Sequence, residues 1–293
     1  MLQRLAAFVS LILFAVAAPA LAGSAAQNTL DARRALAAEA AALMQFETSI
    51  DAWKASLVSA QDFSQCGCSM APEMRAKLQS AWSKAVGEEF NSGEVLAAIT
   101  LALTEELTPA ELEQAIRFRK SPLGMKVTAA ETAKKGPATE QSPAAAMQEI
   151  AAMSKWLAAR PARRANLQKV VAMSGGAQAM ADAMINISIG TALGASAVAP
   201  KDQPRLSQAE IVEMIERARP QMERSFDAMM VPIYGTLYKP LSDKDLKALV
   251  KQLSTPAARK FMGVTLRAFN AGMRAQALKM GQRLGLEMQG ENI

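Results

Sequence analysis

The chain has 293 residues, 51% hydrophobic and 20% charged, a formal net charge of +6 and no histidine. Without imidazole there is no Ser-His or Cys-His dyad and no His-ligated zinc or haem, and no side chain has an unperturbed pKa near neutrality. The cations are scattered and aromatic residues make up only 5% of the chain, so the excess charge describes a solvated surface rather than a nucleic-acid groove.

The chain opens with Arg4, an apolar run from Leu5 to Val16, and the small-residue ending Ala20-Leu21-Ala22. This is the grammar of a cleavable secretory signal over residues 1–22, and the apolar run is too short to span a bilayer. Ser24 stands where a lipidated cysteine would be needed, so the expected destination is the periplasm or the exterior, without a lipid anchor. The expected membrane contact is at most a weak attraction to an anionic surface.

Next comes Cys66-Gly67-Cys68, the only cysteines. In an oxidising compartment the choices are a disulfide between Cys66 and Cys68, a bridge to another chain, a redox pair, or a soft-metal site. A strained i to i+2 ring would exchange readily, yet no neighbouring cation activates either thiol. Met70 and Met74 follow closely, and two thiolates with two thioethers would suit Cu(I). Against a metal, methionines elsewhere fall at helical apolar spacing, as in Met180 with Met184, or Met229 and Met230 with Ile233, where Met fills core gaps.

Helix formers dominate the rest and no sustained apolar-polar alternation occurs, so the expected fold is all-α, a helical bundle. Leu107-Thr108-Pro109-Ala110-Glu111-Leu112 places Thr108 at an N-cap, Pro at N1 and Glu111 at N3, with Leu107 and Leu112 as a hydrophobic staple. Leu206-Ser207-Gln208-Ala209-Glu210-Ile211 and Leu241-Ser242-Asp243-Lys244-Asp245-Leu246 repeat the device. Residues 136–146 read as a linker or long loop between a first helical unit, 23–135, and a second, 147–293. Ala183 to Pro200 carries no charge, but its Asn, Ser, Thr, Gly and Ala content reads as a buried bundle helix whose Gly190 and Gly194 form a close-packing face. Pro256 to about Met288 reads as one long amphipathic helix, with Phe261, Phe269, Met273, Met280 and Leu284 on its apolar side.

Sliding the chain by 134 positions lays residues 107–127 over 241–261 without a gap. Leu107, Leu112, Pro122 and Lys126 meet Leu241, Leu246, Pro256 and Lys260, while Thr108 meets Ser242, Glu111 meets Asp245 and Ser121 meets Thr255. Each copy is a capped helix, a Ser-Pro or Thr-Pro break, and a second helix opened by the proline. A fainter third copy surrounds Lys155-Trp156-Leu157 and Arg160-Pro161-Ala162.

The run Leu107-Thr108 with Glu111-Leu112, then Ile116-Arg117-Phe118, then Ser121-Pro122 with Gly124 and Lys126, resembles the exported bacterial helical proteins grouped as domain of unknown function 2059. The resemblance is closest over 95–131 and returns, degraded, over 229–265. Arg119 stands where the family has Tyr, Gln252 where Phe is expected, and Ala258 where Gly is expected. What the resemblance implies is an exported all-helical architecture; the family supplies no established activity or catalytic residue. On the residues alone, the motif reads as a helix corner.

Chemical motifs are otherwise missing: no P-loop, G-x-G-x-x-G, G-x-S-x-G, S-x-x-K or H-E-x-x-H occurs. Acid pairs Glu88-Glu89 and Glu105-Glu106 read as solvated faces. The expectation is a non-enzymatic exported protein without a cofactor that binds or supports a protein partner, or self-associates. The competing expectation is thiol-redox or Cu(I) handling at Cys66 and Cys68, or carriage of a small apolar ligand.

Overall fold

A computed structural model describes residues 30–60, 71–133, 143–198 and 207–289. The signal segment 1–22, Cys66, Cys68, Met70 and residues 136–142 of the expected linker lie outside the described residues. Among those described, every regular element is an α-helix.

In chain order these are α1 (Leu30–Leu43), α2 (Phe46–Ala60), α3 (Pro72–Glu89), α4 (Ser92–Glu106), α5 (Pro109–Lys120), α6 (Pro122–Thr132) and α7 (Pro143–Ala158). They continue with α8 (Pro161–Ser174), α9 (Gly176–Val198), α10 (Gln208–Glu216), α11 (Arg219–Leu237), α12 (Asp243–Leu253) and α13 (Pro256–Gln289). Proline opens α3, α5, α6, α7, α8 and α13, where its missing N–H costs nothing and its fixed φ suits the first turn. Pro143 starts α7, so helix begins inside the expected 136–146 linker.

The pattern of packing repeats with the sequence offset. In the first half α1 lies against α4 and α5, and α2 against α4. In the second, α8 lies against α11 and α12, and α9 against α11. The halves also meet reciprocally: α13 contacts α5, and α6 contacts α12. One continuous core runs through both, from Met44, Phe46 and Trp53 to Tyr234, Phe261 and Met280.

The long C-terminal helix is the spine of that core. Ala258, Phe261, Thr265, Phe269, Met273, Gln276 and Met280 are buried at three- and four-residue steps, the signature of one helical face turned inward. Phe261 lies 6.5 Å from Phe46 and Phe269 5.9 Å from Trp53, measured between ring centroids. Leu284 is half-buried against the same core.

The uncharged stretch from Ala183 onward forms the latter part of α9, and its glycines set the distance to the spine. A Cβ on Gly190 would sit 2.6 Å from Ala277 Cβ, one on Gly194 2.2 Å from the Leu278 carbonyl, and one on Gly281 2.2 Å from the Thr191 carbonyl. Backbone therefore touches backbone, as expected of a small-residue seam within a helical bundle. No helix among the described residues is long and apolar enough to cross a membrane.

Candidate functional site

The motif residues build corners. Thr108 Oγ1 accepts from the Glu111 N–H at 3.3 Å, and the Glu111 carboxylate accepts from the Thr108 N–H at 2.8 Å, a complete capping box at the start of α5. Ser242 and Asp245 do the same for α12, at 3.1 and 3.3 Å. Ser207 and Glu210 complete a third box on α10. At the proline breaks, Ser121 Oγ accepts from the Gly124 N–H at 3.0 Å and Thr255 Oγ1 from the Ala258 N–H at 3.3 Å, capping the helices that Pro122 and Pro256 open. Leu112, Phe118 and Leu246 are buried below. Gly124 permits the sharp fold-back of α6 on α5, since a Cβ there would lie 1.9 Å from the Phe118 carbonyl.

The two corners clasp each other. Lys126 Nζ donates to the Asp245 carboxylate at 3.1 and 3.2 Å, and Lys260 Nζ donates to the Glu111 carboxylate at 3.0 and 2.8 Å. Lys126 and Lys260 are equivalent at the 134-residue offset, as are Glu111 and Asp245. Each lysine thus reaches the helix-capping acid of the other copy, an isologous pairing of the kind a two-fold axis produces. Burial raises the Glu111 carboxyl, but hydrogen bonds from Lys260 and Thr108 outweigh it and leave the net value below the ordinary one. Ser242, ahead of Lys126, holds Asp245 low as well.

Beside the clasp lies a buried polar network formed by residues outside the motif. Arg119 Nη1 donates to Glu131 Oε2 at 2.8 Å and to Thr128 Oγ1 at 3.1 Å, and the Tyr238 hydroxyl donates to Glu131 Oε1 at 2.9 Å. All three principal members are buried, with Arg119 at 3%, Glu131 at 2% and Tyr238 at 0% exposure. Burial first, and the adjacent Glu131 charge second, push the Tyr238 phenol well above its ordinary value. Both Glu131 oxygens are engaged, so the geometry describes a brace joining α5, α6 and the end of α11. One sequence signal was available: Arg119 is seven residues from Leu112 and therefore on the core face of α5.

At the opposite offset the brace is absent. Leu253, Thr265 and Thr104 occupy the positions equivalent to Arg119, Glu131 and Tyr238, and all are buried. Thr104 Oγ1 instead donates to its own helix at Thr100 O, 2.8 Å away.

A second cationic centre sits at the corner between α7 and α8. Arg163, 6% exposed, donates to Asp243 Oδ1 at 2.7 Å and to the Tyr238 and Leu241 carbonyls at 2.8 and 3.0 Å. It thereby satisfies carbonyls left over where α11 ends. The half-buried Trp156 ring carries Arg160 at 4.1 Å, Arg163 at 5.6 Å and Lys239 at 6.0 Å from its centroid.

Elsewhere, Met180 and Met230 are buried and Met184 and Met229 pack against the core, as their spacing predicts. Glu88, Glu105 and Glu106 are exposed, in keeping with solvated faces, and Glu88 and Glu106 pair with Arg283 and Arg267. Among the described residues no group of three or more acidic, cysteine or histidine side chains converges to hold a metal. Met74, the described member of the postulated sulfur set, is exposed.

These features define an all-α bundle whose distinctive polar residues cap helices and tie the halves together. No protein-family model matches the chain, and no curated protein or solved structure shows significant similarity to it.

Proposed function

We propose that the chain is an exported, non-enzymatic helical protein that binds or supports a partner in the cell envelope. The observation that carries this reading is the use made of the motif: Thr108, Glu111, Ser121, Lys126, Ser242, Asp245, Thr255 and Lys260 spend their hydrogen-bonding capacity on caps and on the clasp. Such a site stiffens a body and presents surfaces, and its hydroxyl–carboxylate pairs, Thr108 with Glu111 and Ser242 with Asp245, are spent inside capping boxes. The 1–22 segment supports export, and the motif supports a distant kinship with the domain of unknown function 2059 proteins.

Crosslinking in the native compartment, followed by mass spectrometry, tests this reading. A recurrent crosslinked partner, or a defined self-assembly, is the expected result. A clean monomer that recovers nothing overturns it.

A further inference from the structure

At the Trp156 corner the cations outnumber the carboxylates among the described residues. From Lys155 to Arg164 the chain carries Lys155, Arg160, Arg163 and Arg164 and no acid. The turn between α11 and α12 adds Lys239, 6.0 Å from the Trp156 ring centroid. Of the nearby acids, Asp243 is taken by Arg163 and Asp245 by Lys126. Arg160 and Lys239 are exposed beside the half-buried indole, and Lys155 and Arg164, neighbours of Arg160 along the chain, are exposed as well. The α8 N-terminus opens into the same corner with no side-chain cap, because Arg160 stands where Ser121 and Thr255 stand in the other corners. Its backbone adds positive partial charge to the side-chain charge. Arg163 Nε, moreover, is a buried donor with no acceptor among the described residues.

We infer that this corner is an anionic-surface docking site, with Trp156, Arg160 and Lys239 at its centre, and that its partner is the phosphate headgroup layer of an anionic bilayer. Arg and Lys attract phosphate, and an indole with one polar edge suits the headgroup boundary. A few exposed cations near such a surface give reversible, salt-sensitive attachment without insertion. That agrees with a chain whose described helices include no membrane-crossing candidate. The inference rests on reading the chain as an envelope binding protein and names one partner chemistry for it.

The test is co-sedimentation of the purified full chain with phosphatidylglycerol-containing vesicles and with neutral phosphatidylcholine vesicles, alongside calorimetric titration with inorganic phosphate and with polyglutamate. The variant is Arg160→Ala with Lys239→Ala. The control is Arg34→Ala with Arg117→Ala, which removes the same charge from exposed positions elsewhere. Expected are binding to anionic vesicles only, loss of that binding by 0.2 M salt, and roughly tenfold weakening in the Arg160/Lys239 variant but not in the control. Phosphate titration distinguishes sources: saturable binding of free phosphate with no vesicle binding overturns the bilayer assignment. Preference for polyglutamate overturns it in favour of an acidic protein. Equal weakening in variant and control overturns the site itself. These outcomes are read on purified protein, so a failure here leaves the crosslinking test of partner binding standing.

Discussion

At the scale of single residues, two helical glycines have opposite meanings. A Cβ at Gly124 would collide with the Phe118 carbonyl, a backbone atom that cannot swing aside, whereas a Cβ at Gly87 meets nothing within 4 Å. Gly124→Ala should therefore destabilise the fold by roughly 3 kcal/mol, while Gly87→Ala should stabilise it by about 0.5–1 kcal/mol through helix propensity. Urea denaturation of the two variants gives both signs. The buried brace yields a sharper case. Glu131→Thr alone strands the Arg119 guanidinium in the core and should cost about 3–5 kcal/mol. Arg119→Leu combined with Glu131→Thr copies what Leu253 and Thr265 provide at the equivalent positions, and should recover most of that loss. A double-mutant cycle with coupling near zero would show that the pair is not the brace described.

At the scale of helices, the clasp makes each start of a helix depend on the other half. Lys126 and Lys260 are more than two-fifths exposed, so each ion pair contributes only about 0.5–1 kcal/mol. Their larger effect is on acid sensitivity. Glu111 and Asp245 titrate below their ordinary values in the folded chain. Their contribution is accordingly full above the unfolded-state values of about 4.3 for Glu and 3.9 for Asp, and is lost as pH falls through the lower folded values. Replacing both lysines, Lys126→Met with Lys260→Met, should flatten this acid limb without abolishing it, because the capping boxes remain. Stability measured by denaturant titration between about pH 5 and pH 2 would reveal the change, and an unaltered slope would mean the lysines do not hold these acids in solution.

For the whole molecule, α13 decides how the halves behave. It packs on α3, α4 and α5 from the first half and on α9 and α12 from the second, and the core it threads is continuous. Unfolding should be one cooperative transition, with far-UV circular dichroism and tryptophan fluorescence superimposing across the denaturant curve. Two separated transitions would mean two cores. The purified protein should also partition into the aqueous phase of a detergent separation, since the Gly190 and Gly194 face is spent on α13 and not on lipid.

Sequence alone determined the helical class and the capped helix starts at Pro109, Pro122, Gln208, Asp243 and Pro256, because these depend on interactions within four or five residues. Thr108 with Glu111, Ser121 ahead of Pro122, and the inward step from Phe261 to Met280 are local statements that hold in almost any tertiary setting. The 134-residue offset pointed to paired corners, yet which lysine meets which acid was decided only when α6 came to lie on α12 and α13 on α5. The Arg119, Glu131 and Tyr238 brace belongs to tertiary structure for the same reason. Its members stand 12 and 107 residues apart, and a buried charge becomes tolerable only once its distant partners are in place. The three cations around Trp156 likewise come from two segments, joined where α11 ends against α8. A one-dimensional reading records the charges of such groups, and folding decides which of them are consumed inside and which are left to face a partner.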